Sequence, residues 1–298
     1  MDLNINMLEP IEKVITKLID KISDACGFFV RYKIMQSDAQ EQIIKQVISD
    51  ESLSLDQKLE YVISISSLNK QHKNREKVIE IACENLNAEA KPEDIDDDKL
   101  MDIMDKIKNI SSYDAQLMWG KLLASEANSP GSISKRLIQN LYLMDQRDAW
   151  QFSMFTAFCF NDSIDSDIAH PIVYIRKKAK LYTATFLTTQ YIHNLQNWGL
   201  IECNYDPGFV FITQKHLVYR GSTYTLFADD VGDNIDAGNI RFTKDGQSLF
   251  NLIDKVNDNS ILDKTLEAFS TLGIRYEISG RYGVWQSDVF REHHILNY

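Results

Sequence analysis

Three things are scarce in these 298 residues: positive charge, closely spaced cysteines and long apolar runs. Lys and Arg number 32 against 43 Asp and Glu, a net charge of -11. Wholesale coating of nucleic acid or of an anionic membrane is therefore excluded, because both need a positive field at close range. The 4 cysteines, Cys26, Cys83, Cys159 and Cys203, lie far apart with no Cys-x-x-Cys pair. That spacing speaks against a disulfide framework or a zinc site and fits reduced thiols in the cytoplasm. The nearest approach to an apolar run, "FSMFTAFCF", falls far short of the roughly 18 residues that a membrane span needs. The opening "MDLNINMLEPIEKVITKLIDK" has charges threaded through its apolar spacing and does not read as a signal peptide. A cytoplasmic protein with no transmembrane segment is the expectation.

Complete catalytic motifs are also lacking. The most pattern-rich stretch is "LMWGKLLASEANSPGSISKR", residues 117–136. Its Gly120-Lys121 pair has Ala115 where a phosphate-cradling loop needs its first glycine, and Leu122 where that loop needs a magnesium-binding hydroxyl. Ser132-Ile133-Ser134-Lys135 matches a bare Ser-x-x-Lys, without the partner boxes that complete proton transfer in acyl-enzymes. The structural reading is stronger: Pro130-Gly131 turns the chain, and Ser132 or Ser134 caps a following helix. Glu126 alone lacks a firm role, with Arg136 or Lys135 as its expected partner across the turn. The 6 histidines are dispersed, and the acids of "DDVGDNID" miss the register of a calcium loop. No catalytic residue, cofactor or metal site is assigned.

What is present is helical periodicity. Ile11, Ile15, Leu18, Ile19 and Ile22 recur at spacings of three and four behind Pro10, and the spacing returns in Leu55, Leu59, Val62, Ile63 and in Val78, Ile79, Cys83. The acid-rich run "KPEDIDDDKL" reads as a linker or a helix N-terminus. From residue 171 the texture changes to alternating β-branched and aromatic residues, in "PIVYIR", "LYTATFL", "FVFIT", "YTLFA" and "NIRFTK". The predicted fold is mainly α with a C-terminal α+β part: a helical arm over 1–91, a helical domain over 92–168, and a winged-helix-like domain with a C-terminal extension over 169–298.

The winged-helix reading rests on order. The helix "TTQYIHNLQNW" ends at Gly199, "LIEC" follows as a strand, a long wing spans 203–240, and "IRFTKDGQSLF" is a strand running into a helix capped by Thr243. Residues 170–220 hold 6 Lys or Arg against 2 acids, Glu202 and Asp206. The candidate nucleic-acid contacts are Arg176, Lys177, Lys178 and Lys180, with Gln190, Asn194, Lys215 and Arg220. Thr188, Thr189, His193 and Asn197 complete a polar helix face able to hydrogen-bond in a groove.

The series from "SYDAQLMWGKLLASEANSPGSISKRLIQNLYLMDQRDAWQF" through "LQNWGLIEC" to "FTKDGQSLF", with the leading "LIDKISDACGFFVRYKIMQSDAQEQ", resembles a bacterial protein family, a domain of unknown function. Trp119, Gly120, Leu123, Glu126, Pro130, Gly131, Ser132 and Ser134 occupy its motif, and the resemblance brings no catalytic role with them. Proteins of that kind are similar to accessory and defence-associated genes, which implies an anti-phage setting of the abortive-infection type. The reading of the whole is a non-catalytic interaction and regulatory protein that binds a protein partner or forms a homo-oligomer. Two alternatives stand beside it: a DNA-binding winged-helix regulator and an infection-triggered effector enzyme.

Overall fold

A computed structural model describes residues 8–26, 38–164, 166–175, 186–206, 208–212, 214–228 and 234–279. The chain has a helical N-terminal half and a C-terminal region of antiparallel strands. It divides into two compact units, residues 1–144 and 145–298.

The first unit is built on two helix pairs. Helix α1 (Leu8–Cys26) carries Pro10 in its first turn and buries Val14, Leu18 and Ile22, one residue per turn along one stripe. That stripe faces α4 (Asp97–Ile107), which buries Leu100, Ile103, Met104 and Ile107 in return. Between α1 and α4 lie α2 (Asp38–Ser49) and α3 (Leu55–Glu84). At 30 residues α3 is about 45 Å long. It starts in a reciprocal cap, in which the Gln57 amide donates to Ser54 Oγ and the Ser54 amide donates to Gln57 Oε1 at 2.9 Å.

Only the second half of α3 is in a core. Val78, Ile79, Ile81 and Ala82 are buried there, packed on α5 (Tyr113–Asn128). Asn74 and Gln116 close the polar gaps by donating to the Lys108 and Ile110 carbonyls at 2.8 and 2.9 Å. The first half departs from the sequence reading. Leu55, Leu59, Val62 and Ile63 do form a helical stripe, but Leu55 is 81% exposed, Leu59 57% and Ile63 59%.

The acid-rich run is a helix N-terminus. Pro92–Asp94 form a 3-10 turn, and Asp96 caps α4 by accepting from the Lys99 amide at 2.9 Å. Asp97 and Asp98 sit in the first turn, where the helix dipole favours them. Lys17 and Lys21 of α1 reach Glu93 and Asp97 at 2.6 and 2.5 Å, so the run ties α4 to α1. Helix α6 (Lys135–Leu143) ends the unit, with Leu137, Ile138 and Leu141 inward.

The second unit opens with α7 (Gln146–Phe155), capped by Asp145 and Asp148, and a 3-10 turn, Thr156–Phe158. Strands β1 (Cys159–Asn161) and β2 (Ala169–Pro171) follow. Then come α8 (Thr189–Asn197), β3 (Ile201–Cys203), β4 (Phe209–Ile212), β5 (Gln214–Tyr219), β6 (Ser222–Phe227), β7 (Asn234–Gly238) and β8 (Ile240–Phe242). The series closes with α9 (Lys244–Leu252), α10 (Asn259–Thr271) and β9 (Arg275–Ser279). A five-stranded antiparallel sheet runs β2-β1-β5-β6-β9, and β3-β8 and β4-β7 are separate two-stranded ladders. Aromatic side chains fill the core: Phe160 lies 4.9 Å from Tyr219 and edge-on to Tyr224 at 5.7 Å, and Phe242 lies 5.5 Å from Phe250.

Thr243 caps α9 as expected, accepting from the Gly246 amide at 3.0 Å, and Gly199 ends α8 with φ of 66°. The expected strand "PIVYIR" stops at Pro171; Ile172, Val173 and Tyr174 are fully buried without joining a ladder. Most of the expected strand "LYTATFL" lies outside the described residues, as do the acids at 229, 230 and 233 of the loop "ADDVGDNIDAG". The stretch 203–240, read as one long wing, instead holds the β4-β7 ladder and the β5-β6 hairpin.

At Gly120 α5 lies against α3 with no room for a side chain. A Cβ there would lie 2.4 Å from Ile81 Cγ2 and 3.1 Å from the Val78 carbonyl oxygen. Gly120→Ala is expected to push the helices apart at a cost of about 1–3 kcal/mol, measured by chemical denaturation; an unchanged midpoint would contradict this close approach.

Candidate functional site

The motif stretch is a polar joint closed around one carboxylate. Helix α5 carries Glu126 about one helical turn beyond Leu122, on the same inward side, and leaves it 1% exposed. Glu126 Oε1 accepts from the Gly131 amide at 2.9 Å and from Lys99 Nζ at 2.7 Å, and Oε2 accepts from the Ile133 amide at 2.9 Å. Both oxygens are thus used, by one buried ammonium and by two backbone donors of the turn between α5 and α6.

The other motif residues serve the same turn. Gly131 takes φ of 86°, which an L side chain rarely adopts. Ser132 Oγ donates to the Ser125 carbonyl at 3.1 Å, and Ser134 caps α6 by accepting from the Leu137 amide at 2.9 Å. Pro130 precedes the glycine, and Trp119, 1% exposed, seats α5 in the core. The expected partner of Glu126 is corrected: it pairs with Lys99 of α4. Lys135 sits at the exposed start of α6 and reaches Asp96 at 3.3 Å instead. Sequence reasoning missed Lys99 because it is remote in the chain and hidden in an acid-rich run.

The proposed nucleic-acid contacts fall in different places. Arg176, Lys177, Lys178 and Lys180 lie outside the described residues. Gln190 is exposed on α8, beside the exposed Thr188, Thr189, His193 and Asn197. Asn194 is half-buried, donating to Gln151 Oε1 at 3.2 Å and accepting from Gln190 at 2.9 Å, so its amide is engaged in holding α8 to α7. Lys215 and Arg220 are on β5 and its turn, in the five-stranded sheet rather than beside α8. Arg220 and Gly221 form the hairpin turn with φ of 53° and 75°, and the Arg220 guanidinium donates to Asn259 Oδ1 at 2.5 Å.

Lys215 belongs to a cluster that sequence reasoning did not find. Asp162 Oδ1 lies 2.7 Å from His170 Nε2 and 2.5 Å from Lys215 Nζ, bringing together the β1-β2 connection, β2 and β5. The Phe211 ring meets His170 edge-on at 5.1 Å and lies 5.3 Å from the Lys215 ammonium. All three polar groups are half-buried. Burial pushes the His170 imidazole below its ordinary value, against the pull of Asp162. Asp162, which burial alone would raise, is held below the usual carboxylate range by hydrogen bonds from Lys215 and His170. Among the described residues His170 has no hydroxyl or thiol partner to activate, so the cluster reads as a clamp across β1 rather than a proton relay. Among the described residues no three His, Cys, Asp or Glu side chains converge as metal ligands, and no helix is long and apolar enough to cross a membrane. The four cysteines are free, and burial raises the Cys159 thiol well above its ordinary value.

A family model described as "Protein of unknown function (DUF2806)" matches residues 63–265. The chain belongs to this family. The DUF2806 region begins at Ile63, within the first half of α3, and runs to Thr265 in α10, so the Glu126 joint and the Asp162 clamp both lie inside it. No curated protein and no solved structure matches the chain.

Two outcomes follow from this geometry. Glu126→Ala should cost about 3–5 kcal/mol in chemical denaturation, because it strands the Lys99 ammonium in the interior. Adding Lys99→Met should recover part of that loss, and strict additivity of the two changes would contradict the pairing. The lowered His170 value means the folded state binds its proton less tightly than the unfolded chain, so its contribution is full above the ordinary value of 6.5 and fades as pH falls below it. The loss of thermal stability between pH 7 and pH 5.5 should therefore be smaller in His170→Gln, and His72, whose value burial also lowers, contributes in the same direction. An identical pH slope in the variant would contradict the burial of the His170 imidazole.

Proposed function

We propose that this DUF2806 protein is a non-catalytic interaction and regulatory protein whose contact surface is the helical arm of α2 and the first half of α3. The observation that carries the reading is the exposure of 7 large apolar side chains on that arm: Ile43, Ile48, Leu55, Leu59, Tyr61, Ile63 and Leu68. Leu55, Leu59 and Ile63 follow one another at spacings of four and so share one face of α3, and an apolar stripe left in water marks a binding surface. The motif that most resembles an active site supports the reading in another way, since the polar groups of its turn are engaged in structure.

A DNA-binding regulator is the second reading, and the order α8, β3, β8, α9 favours it. Strands β3 and β8 pair with Ile201 opposite Phe242 and Cys203 opposite Ile240, directly between the two helices, as the wing of a winged helix does. Against it, the exposed α8 residues carry no cation, and Arg241 of β8 is paired with Glu202 of β3 at 2.6 Å. Duplex binding that weakens steeply with salt, and is lost when Arg176, Lys177 and Lys178 are all changed to Ala, would favour this alternative.

Phage defence is the setting we attach to the interaction reading, on the strength of the sequence resemblance. Cells expressing the chain should plate phage at reduced efficiency, and Leu59→Glu with Ile63→Glu should abolish that reduction without changing the helical content of the purified protein. Equal protection by the variant would remove the arm from the function.

A further inference from the structure

The arm's outward face has a pattern that selects its occupant. Leu59, Ile63, Ser66, Lys70 and Lys73 follow one another along α3 at spacings of four and three, the period of a helix-pairing seam, and all are exposed. Leu55 extends the seam one turn earlier. Acids flank its N-terminal end at Asp56 and Glu60, and lysines form its C-terminal end. Among the described residues none of Asp56, Glu60, Lys70 and Lys73 has an ion-pair partner.

We propose that the occupant is a second copy of this chain, with α3 packed antiparallel on α3 about a two-fold axis near residues 64 and 65. The inference rests on the arm being the contact surface. In an antiparallel pair the register that sets Ile63 against Ser66 of the second copy also sets Asp56 against Lys73 of the second copy. The same register lays the stem of Lys70 of the second copy over Leu59, with its ammonium beside Glu60. A parallel pair would instead stack acid on acid and lysine on lysine. Ser66, small and central, lets the two helices approach. The contact is isologous, so each charge pair occurs twice. Leu55, Leu59 and Ile63 are the exposed apolar side chains on this face, and the two-fold axis supplies each of them twice.

Sedimentation equilibrium of the full chain at about 50 μM, well above the Kd of an ordinary interface, is expected to give twice the 34.4 kDa monomer mass. Lys70→Glu with Lys73→Glu should weaken the dimer by more than about tenfold, and Asp56→Lys with Glu60→Lys should do the same. An equimolar mixture of the two variants should restore the dimer, because each then offers the other the charges that it lost. Unchanged helicity of both variants keeps the test on the interface. A monomeric wild type, a dimer indifferent to both reversals, or a mixture that stays monomeric would each overturn the proposal. If the wild type is monomeric while Leu59→Glu with Ile63→Glu still abolishes activity in cells, the arm remains the contact surface for a different protein. If neither holds, the arm reading fails with it.

Discussion

A single buried carboxylate holds the first unit's joint together. Glu126 is taken out of water on α5 and must be compensated there, since an uncompensated interior charge would cost more than most side chains contribute. Lys99 supplies one partner, and the amides of Gly131 and Ile133 supply two more. Three segments are fixed at once: α4 through Lys99, the turn through Gly131, and the approach to α6 through Ile133. The requirement propagates outward. The turn can offer both amides to one carboxylate only if Gly131 adopts its left-handed conformation, and α5 can lie against α3 only if Gly120 lacks a side chain. What looks in the sequence like fragments of several catalytic motifs is one device for crossing and turning helices.

The second unit meets a comparable constraint at the sheet. Asp162 sits where β1 hands over to the β1-β2 connection and draws in partners from the strands on either side, the His170 imidazole of β2 and the Lys215 ammonium of β5. β1 is only three residues long and pairs with β5 through a single register position, Asn161 opposite Val218. A side-chain clamp therefore adds what a short ladder cannot, and the aromatic cluster around Phe160 fills the same face. The helix-strand order around α8 and α9 coexists with a large insertion, because β4 to β7 leave and rejoin between β3 and β8.

Local rules made much of this legible. The stripe of α1, the caps at Thr243 and Ser134, the Pro130-Gly131 turn and the Gly199 stop depend on residues within a few positions of one another, which a sequence displays directly. Long-range pairing is not displayed. Lys99 lies 27 residues from Glu126, and proximity along the chain favoured Lys135 or Arg136. Strand pairing between 203 and 240 was equally hidden, since one run of alternating residues serves a wing, a separate ladder or a sheet edge. Periodicity also could not say whether a stripe is covered: Leu55, Leu59 and Ile63 have the spacing of Val14, Leu18 and Ile22, yet one set faces water and the other a core. The exposed set is informative for that reason, because it separates apolar residues that fold the chain from those left for a partner.

Glu126 holds the turn between α5 and α6 through the Gly131 and Ile133 amides, and amide hydrogen exchange tests that most directly. The Gly131 and Ile133 amides should exchange far more slowly in the wild type than as turn amides open to solvent. In Glu126→Ala that protection should vanish selectively, ahead of any change in the amides of α1. Exchange of Gly131 and Ile133 at the rate of an unstructured chain in the wild type would contradict it, and would return Glu126 to consideration as a reactive group.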